Sequence, residues 1–130
     1  MILCKIVTPF GKYKEVETPI LNVRNNIGEM GILPNRMPIV TMLEISKMST
    51  IENGKKEEYA IGGGLLYFKE NEAMILVDSI ENKDEIEKER ALAAKTRAES
   101  LLNKNDESVD IKRAELSLKR AMNRLKVVGE

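Results

Sequence analysis

GEMGILPNRMPIVT, Gly28 to Thr41, is the stretch on which the fold turns. Pro34 and Pro38 have no backbone N–H to give to a strand ladder, and each fixes its own φ. Gly28 and Gly31 permit backbone shapes that other residues resist. A loop built this way is rigid and belongs at the edge or corner of a sheet. It must also dispose of Ile32, Leu33, Met37 and Ile39. Two uses fit: the loop folds these side chains over its own core, or it presents them to a partner.

Outward from the loop, the first part of the chain reads as strands. Ile2 to Val7 is an apolar run, and Pro19 to Arg24 alternates Ile20, Asn22 and Arg24 against Leu21 and Val23. Asn53-Gly54, between Met42–Ile51 and Glu57–Ile61, is a hairpin signal because both residues tolerate positive φ. Leu65 to Lys69 and Ala73 to Val77 flank Glu70-Asn71-Glu72 and form a second hairpin. Gly62-Gly63-Gly64 follows a strand but opens no helix, which points to a bulge or close sheet packing rather than a phosphate-cradling loop. Many short strands with frequent turn residues predict an antiparallel β-sandwich or flattened barrel.

The composition changes near Asn82. All four prolines and seven of the eight glycines precede it. Beyond it the periodicity is helical, so the chain divides into a sandwich over 1–81 and a helical hairpin over 82–130. Asn82 with Glu85 three residues on is a capping signal, and Asp84, Glu85 and Glu87 suit a helix N-terminus. Ala91, Ala94, Ala98, Leu101 and Leu102 fall on one face of the first helix. A polar, turn-like stretch from Asn103 to Ser108 follows. In the second helix Ala114, Leu118, Ala121, Leu125 and Val128 repeat at three and four. The short link predicts an antiparallel hairpin. Alanine seams bury little apolar area, so the pair is held together weakly.

The bulk numbers exclude several functions. Twenty-one basic and twenty-one acidic residues cancel, leaving no global field for nucleic acid or an anionic membrane surface. The single cysteine, Cys4, has no internal disulfide partner. It sits in an apolar run that suits a buried thiol in a reducing compartment. The N-terminus lacks the pattern of a signal peptide, and no apolar run approaches the ~20 residues that span a bilayer. There is no histidine, which removes the commonest general base and metal ligand. Nothing activates the scattered serines and threonines as nucleophiles. The chain reads as non-enzymatic, with no metal site and no required cofactor.

The loop resembles a known pattern. GEMGILPNRMPIVT is similar to the GE-x-GILP-x-HAP-L-V-T loop of the epsilon subunit of bacterial F-type ATP synthase. Three further segments resemble that family in order. They are Tyr59 to Leu65 (YAIGGGL), Met74 to Ser79 (MILVDS) and Asp110 to Val127 (DIKRAELSLKRAMNRLKV). The resemblance implies a rotor protein whose sandwich joins the gamma subunit to the membrane rotor ring, with membrane contact only through the complex. It places the chain on the cytoplasmic face of the cell membrane. By resemblance, Glu29 touches the polar loop of the ring, and Ile32, Leu33, Met37 and Pro38 lie near it. Arg36 stands where the family has histidine, a permanent cation that suits an acidic or carbonyl-rich partner surface. The family's hairpin is regulatory: folded it is permissive, and extended it meets the catalytic subunits and brakes ATP hydrolysis.

Charges on the helices admit two readings. Arg113, Arg120 and Arg124 share a stripe beside the apolar seam of the second helix, and Glu87 and Arg90 border the seam of the first. By themselves these are a solvated face. Some family members bind ATP through an I/L-D-x-x-R-A motif and arginines of the last helix. Ile86-Glu87-Lys88-Glu89-Arg90-Ala91 stands at that motif, with Glu87 in place of aspartate. Glu81 matches a further acidic contact, and Arg97, Arg120 and Arg124 match the basic ones. Guanidinium forks suit phosphates, so the resemblance implies ATP as a regulatory ligand on Glu81, Glu87, Arg90, Ala91, Arg97, Arg120 and Arg124. Two alternatives stay open: an assembly module that binds no nucleotide, and a stand-alone nucleotide sensor.

Overall fold

The computed structural model describes residues 1–104 and 110–129. Eight strands come first: β1 (Ile2–Thr8), β2 (Gly11–Thr18), β3 (Leu21–Arg24), β4 (Glu29–Ile32), β5 (Ile39–Glu52), β6 (Lys55–Lys69), β7 (Glu72–Val77) and β8 (Ile80–Asn82). A single 3-10 turn, Lys83–Glu85, leads to α1 (Lys88–Asn103) and α2 (Ile111–Gly129). The chain divides into two compact units, Met1–Asn82 and Lys83–Glu130.

The strands form one sheet in the order β2-β1-β7-β6-β5-β3-β4, with β8 added to β6. Every pairing is antiparallel except β1 with β7, which run parallel. The five strands between β1 and β7 supply the long return that parallel neighbours require. The Asn53-Gly54 hairpin is as the sequence predicts, with φ of 54° and 77°. Its strands are longer than the local pattern implies, because β6 continues through the three glycines. β5 stays in register with β6 from Ile39 opposite Phe68 to Glu52 opposite Lys55, so no residue is inserted there.

Close packing explains the glycines instead. β6 pairs with β8 along Tyr59–Ile61 and with β7 along Gly64–Lys69. A Cβ on Gly64 would lie 2.0 Å from the Leu76 carbonyl oxygen, and one on Gly62 would lie 2.3 Å from Ser79 Oγ. The missing side chains let the β7–β8 segment cross at the bend.

The fold closes because β2, at one end of the strand order, packs against β5. A polar link holds that closure. Lys14 Nζ on β2 lies 2.8 Å from Glu52 Oε1 and donates to Tyr59 Oη at 2.9 Å. Tyr59 Oη and Thr50 Oγ1 both donate to Glu52 Oε2. Burial pulls the Lys14 ammonium down, but its bonds to Glu52 and Tyr59 outweigh that and raise its pKa. Burial pushes the Glu52 carboxyl up, yet the bonds from Lys14, Thr50 and Tyr59 hold it below the usual carboxylate range. Beneath lies the core, led by Tyr59, Phe68, Ile2, Ile6, Leu21, Ile32, Met48 and Ile61. Cys4 is part of it, and burial, with the Glu52 carboxylate, pushes its thiol up to about 12.

The helical unit begins later than its capping signal. Asn82 is in β8, where its side-chain amide donates to Glu57 Oε2 at 3.0 Å, so it is spent on the sheet. Glu87 occupies the N-cap position of α1 without a side-chain capping bond. Asp110 caps α2, accepting from the Arg113 N–H at 3.1 Å. Most of the expected turn-like stretch, residues 105–108, lies outside the described residues. α1 and α2 pack together, with Ala91, Ala98, Ala114 and Ala121 buried. The short connection makes them antiparallel.

Candidate functional site

Several segments converge on one end of the sheet unit. The loop between β4 and β5 carries Asn35 at φ 67°, and the β6–β7 turn carries Glu70 and Asn71 at 52° and 62°. The two are joined: the Asn35 N–H donates to Asn71 Oδ1 at 2.6 Å, and Asn71 Nδ2 donates to Asn35 Oδ1 at 3.2 Å. The Leu3 N–H donates to the Asn71 carbonyl at 2.9 Å, tying in the start of β1. The β3–β4 turn is fixed as well. Asn25 Oδ1 accepts from the N–H groups of Ile27 and Gly28, and Asn25 Nδ2 donates to Thr41 Oγ1 at 3.3 Å.

On this braced end stand Leu33 at 57 % exposure, Met37 at 80 % and Ile27 at 91 %. Apolar side chains held this open on rigid turns are available to a partner and do not contribute to the core. Pro38 and Arg36 are exposed beside them, and an Arg36 guanidinium nitrogen donates to the Met37 carbonyl. Glu29 is also open, 3.9 Å from Arg24. Ile32 is different: it is wholly buried opposite Leu21. It anchors the loop from beneath and offers nothing to a partner. Strand alternation explains this, since β4 reaches through Ile32 and turns it inward, leaving Leu33 as the first residue to face out.

A second exposed apolar surface joins the outward faces of β5, β6 and β7. Val40 opposes Tyr67 and Met42 opposes Leu65, while Leu65 and Tyr67 oppose Leu76 and Met74. Val40, Met42, Tyr67 and Leu76 are all exposed. Neither this face nor Ile27 was evident from the sequence pattern. For the face, a signal lies in strands that are apolar at successive positions, as in sheets covered on both sides.

The predicted nucleotide residues divide between the units. Glu81 is half-buried on β8, opposite Ala60. In the helical unit, Ala91 is buried in the seam and Arg90 and Glu87 are exposed beside it. Arg120 and Arg124 share a flank of α2, are half-buried, and take part in polar contacts. The antiparallel pairing sets the start of α1 beside the end of α2, so Glu87, Arg90, Arg120 and Arg124 gather at one end of the hairpin. The 3-10 turn, with Asp84 and Glu85, packs on α2 as well. Arg97 lies two turns further along α1, at the rim of a shallow groove with Leu92, Ala93, Thr96 and Leu101. Such a cluster of guanidiniums with one carboxylate has the chemistry to hold an anion with a polar appendage. Among the described residues no cluster of acidic residues and cysteine could hold a metal, and no helix is long and apolar enough to cross a membrane.

Comparison with known proteins accounts for both units. The family model described as "ATP synthase, Delta/Epsilon chain, beta-sandwich domain" matches residues 1–83, and the corresponding long alpha-helix domain matches residues 84–129. The ATP synthase epsilon chain of Bacillus velezensis is 44% identical over 124 residues, covering 95% of this chain and 94% of that one. That of Pediococcus pentosaceus is 37% identical over 131 residues, covering 98% and 94%. A chain in the mitochondrial ATP synthase of Euglena gracilis has the same fold, with a TM-score of 0.83 at 23% identity over 99% of this chain and 81% of that one. With both units matched in order and close relatives spanning nearly the full length, the chain belongs to the epsilon-chain family of F-type ATP synthases.

Proposed function

We propose that the chain is a non-catalytic central-stalk subunit of a proton-translocating ATP synthase, joining gamma to the membrane rotor ring. The observation that carries this is the braced end of the sheet unit, where Leu33 and Met37 are held open beside Arg36 and Glu29. A subunit that transmits torque needs a contact surface that does not yield, and a loop pinned at both sides meets that need. The outward face of β5–β7 supplies an apolar surface suited to gamma. In this reading the chain sits at the cytoplasmic face of the membrane and touches the membrane only through the complex. The helical unit regulates ATP hydrolysis, and its basic second helix meets the catalytic subunits when extended. ATP bound by Glu87, Arg90, Arg120 and Arg124 stabilises the folded hairpin, with Arg97 further along α1.

The test is Met37→Glu in an ATP synthase reconstituted with this chain. Met37 is exposed, so the isolated subunit keeps its stability within about 0.5 kcal/mol. A carboxylate forced against the ring costs about 2–4 kcal/mol, so ATP-driven proton pumping falls at least fivefold while the catalytic head still hydrolyses ATP. Unchanged pumping refutes the ring contact.

A further inference from the structure

We infer that Asn71, on the β6–β7 turn, is a positioning residue for the loop that carries Arg36, Met37 and Pro38. The inference rests on the reading of that loop as the ring contact. Among the described residues the hydrogen bonds of Asn71 go to Asn35 and Leu3, so it acts on the contact residues through Asn35. The two side chains form a reciprocal clamp, in which Asn71 Oδ1 takes the Asn35 backbone N–H at 2.6 Å and Asn71 Nδ2 reaches Asn35 Oδ1 at 3.2 Å. The backbone donor fixes which way the Asn71 amide is turned, because only its oxygen can accept.

The clamp lies where it is needed. Asn35 sits between Pro34, which fixes its own φ, and Arg36, which begins the exposed Arg36-Met37-Pro38 run. Asn35 is in the left-handed region at φ 67°, a conformation an asparagine adopts at some cost and holds only when its surroundings support it. Within the described residues, its side chain and N–H both bond to Asn71. Asn71 is in turn held by its own tight turn and by the Leu3 N–H on its carbonyl. Loop and turn are 36 residues apart in sequence, so the bond transfers the rigidity of the β6–β7 hairpin to a segment with no ladder of its own. Loosening it spreads Met37 and Arg36 over many positions, and binding then pays for ordering them again.

The test separates backbone from side chain. Asn71→Gly keeps the left-handed turn and removes only the amide, and Asn71→Asp keeps the acceptor oxygen. In the full chain, Asn71→Gly is expected to speed hydrogen exchange at the Asn35 amide at least tenfold, with the urea midpoint of the sheet unit unchanged. In the reconstituted synthase it is expected to lower ATP-driven proton pumping two- to fivefold, and Asn71→Asp restores both readings. Unchanged exchange at Asn35 in Asn71→Gly overturns the clamp. Normal pumping in Asn71→Gly, alongside lost pumping in Met37→Glu, overturns its positioning role and leaves the ring contact standing. Normal pumping in both variants overturns the ring contact, and the role of the clamp with it.

Discussion

Gly64→Ala should be among the most damaging single-methyl changes in the sheet unit. Gly64 has a φ of 159°, and an added Cβ lies 2.0 Å from the Leu76 carbonyl oxygen, 2.8 Å from Val77 Cα and 2.9 Å from the Leu76 carbonyl carbon. All three are backbone atoms of the facing strand, so no side-chain rotation relieves the contact. β6 and β7 must separate by more than an ångström where Gly64 pairs with Val77. Overpacking of this kind costs ~1–3 kcal/mol, and alanine in that backbone region adds ~1–3 kcal/mol, for a total of about 4 kcal/mol. Gly54→Ala is the control, with φ of 77° and nothing within 4 Å of the added atom. It carries only the backbone part, ~1 kcal/mol. Tyr13, Tyr59 and Tyr67 are all in the sheet unit, and there is no tryptophan, so tyrosine emission follows that unit alone through a urea titration. At a slope of ~1.3 kcal/mol/M, Gly64→Ala moves the midpoint down by about 3 M and Gly54→Ala by under 1 M. Equal shifts in the two variants would show that the sheet tolerates the methyl, and that the close approach of β7 does not explain the glycine.

Glu52→Gln tests the closure between β2 and β5. The Glu52 carboxyl titrates below its ordinary value of 4.5 in the folded chain, so the stability it contributes is present above that pH and lost as pH falls through the lower, folded value. The variant should lack this acid-side slope and lose ~2 kcal/mol at neutral pH, because Lys14 and Tyr59 lose their charged acceptor; urea midpoints measured between about pH 3 and pH 7 show whether the slope persists. For the nucleotide reading, calorimetric titration of the chain with magnesium-free ATP, then ADP, should show saturable binding that favours ATP. Arg120→Ala with Arg124→Ala should abolish it, and an unchanged affinity removes these arginines from the site.

The sheet was legible where local chemistry decides structure. Asn53-Gly54 dictates its turn whatever surrounds it, and the alternation of Leu21 and Val23 with Asn22 and Arg24 already marks the buried face of β3. It was less legible where distant segments decide. Gly62 to Gly64 left a bulge and close sheet packing both open, and the choice falls to close packing only because the β7–β8 segment leaves no room for a Cβ there. Asn82 had the spacing of a cap and was taken by Glu57 from a neighbouring strand. The open positions of Leu33 and Met37 could be guessed from the two prolines. The clamp that holds them could not, because nothing near Asn35 points to a turn 36 residues away.

The two units are held by forces of different size. The sheet unit buries a cluster of sixteen residues that includes Tyr59, Phe68, Ile2 and Leu66. The helical unit buries far less: the methyl groups of Ala91, Ala98, Ala114 and Ala121, with Ile86 and Val127 as its larger buried side chains among the described residues. At ~0.8 kcal/mol for each buried carbon, the four methyls contribute about 3 kcal/mol and Ile86 with Val127 about 6 kcal/mol, before the entropy of ordering the helices is set against them. A ligand that binds only the packed form, at a hundred times its dissociation constant, adds ~2.7 kcal/mol. The net left after that entropy is small enough for a ligand of this strength to weigh against it, and that is the condition for a ligand to decide the population of a two-state element. Leucine at the same four positions would place the packed form several kcal/mol beyond the reach of any single ligand. The proposed regulation requires a helix pair that can open, and a seam made largely of alanine meets that requirement as much as the arginines beside it do.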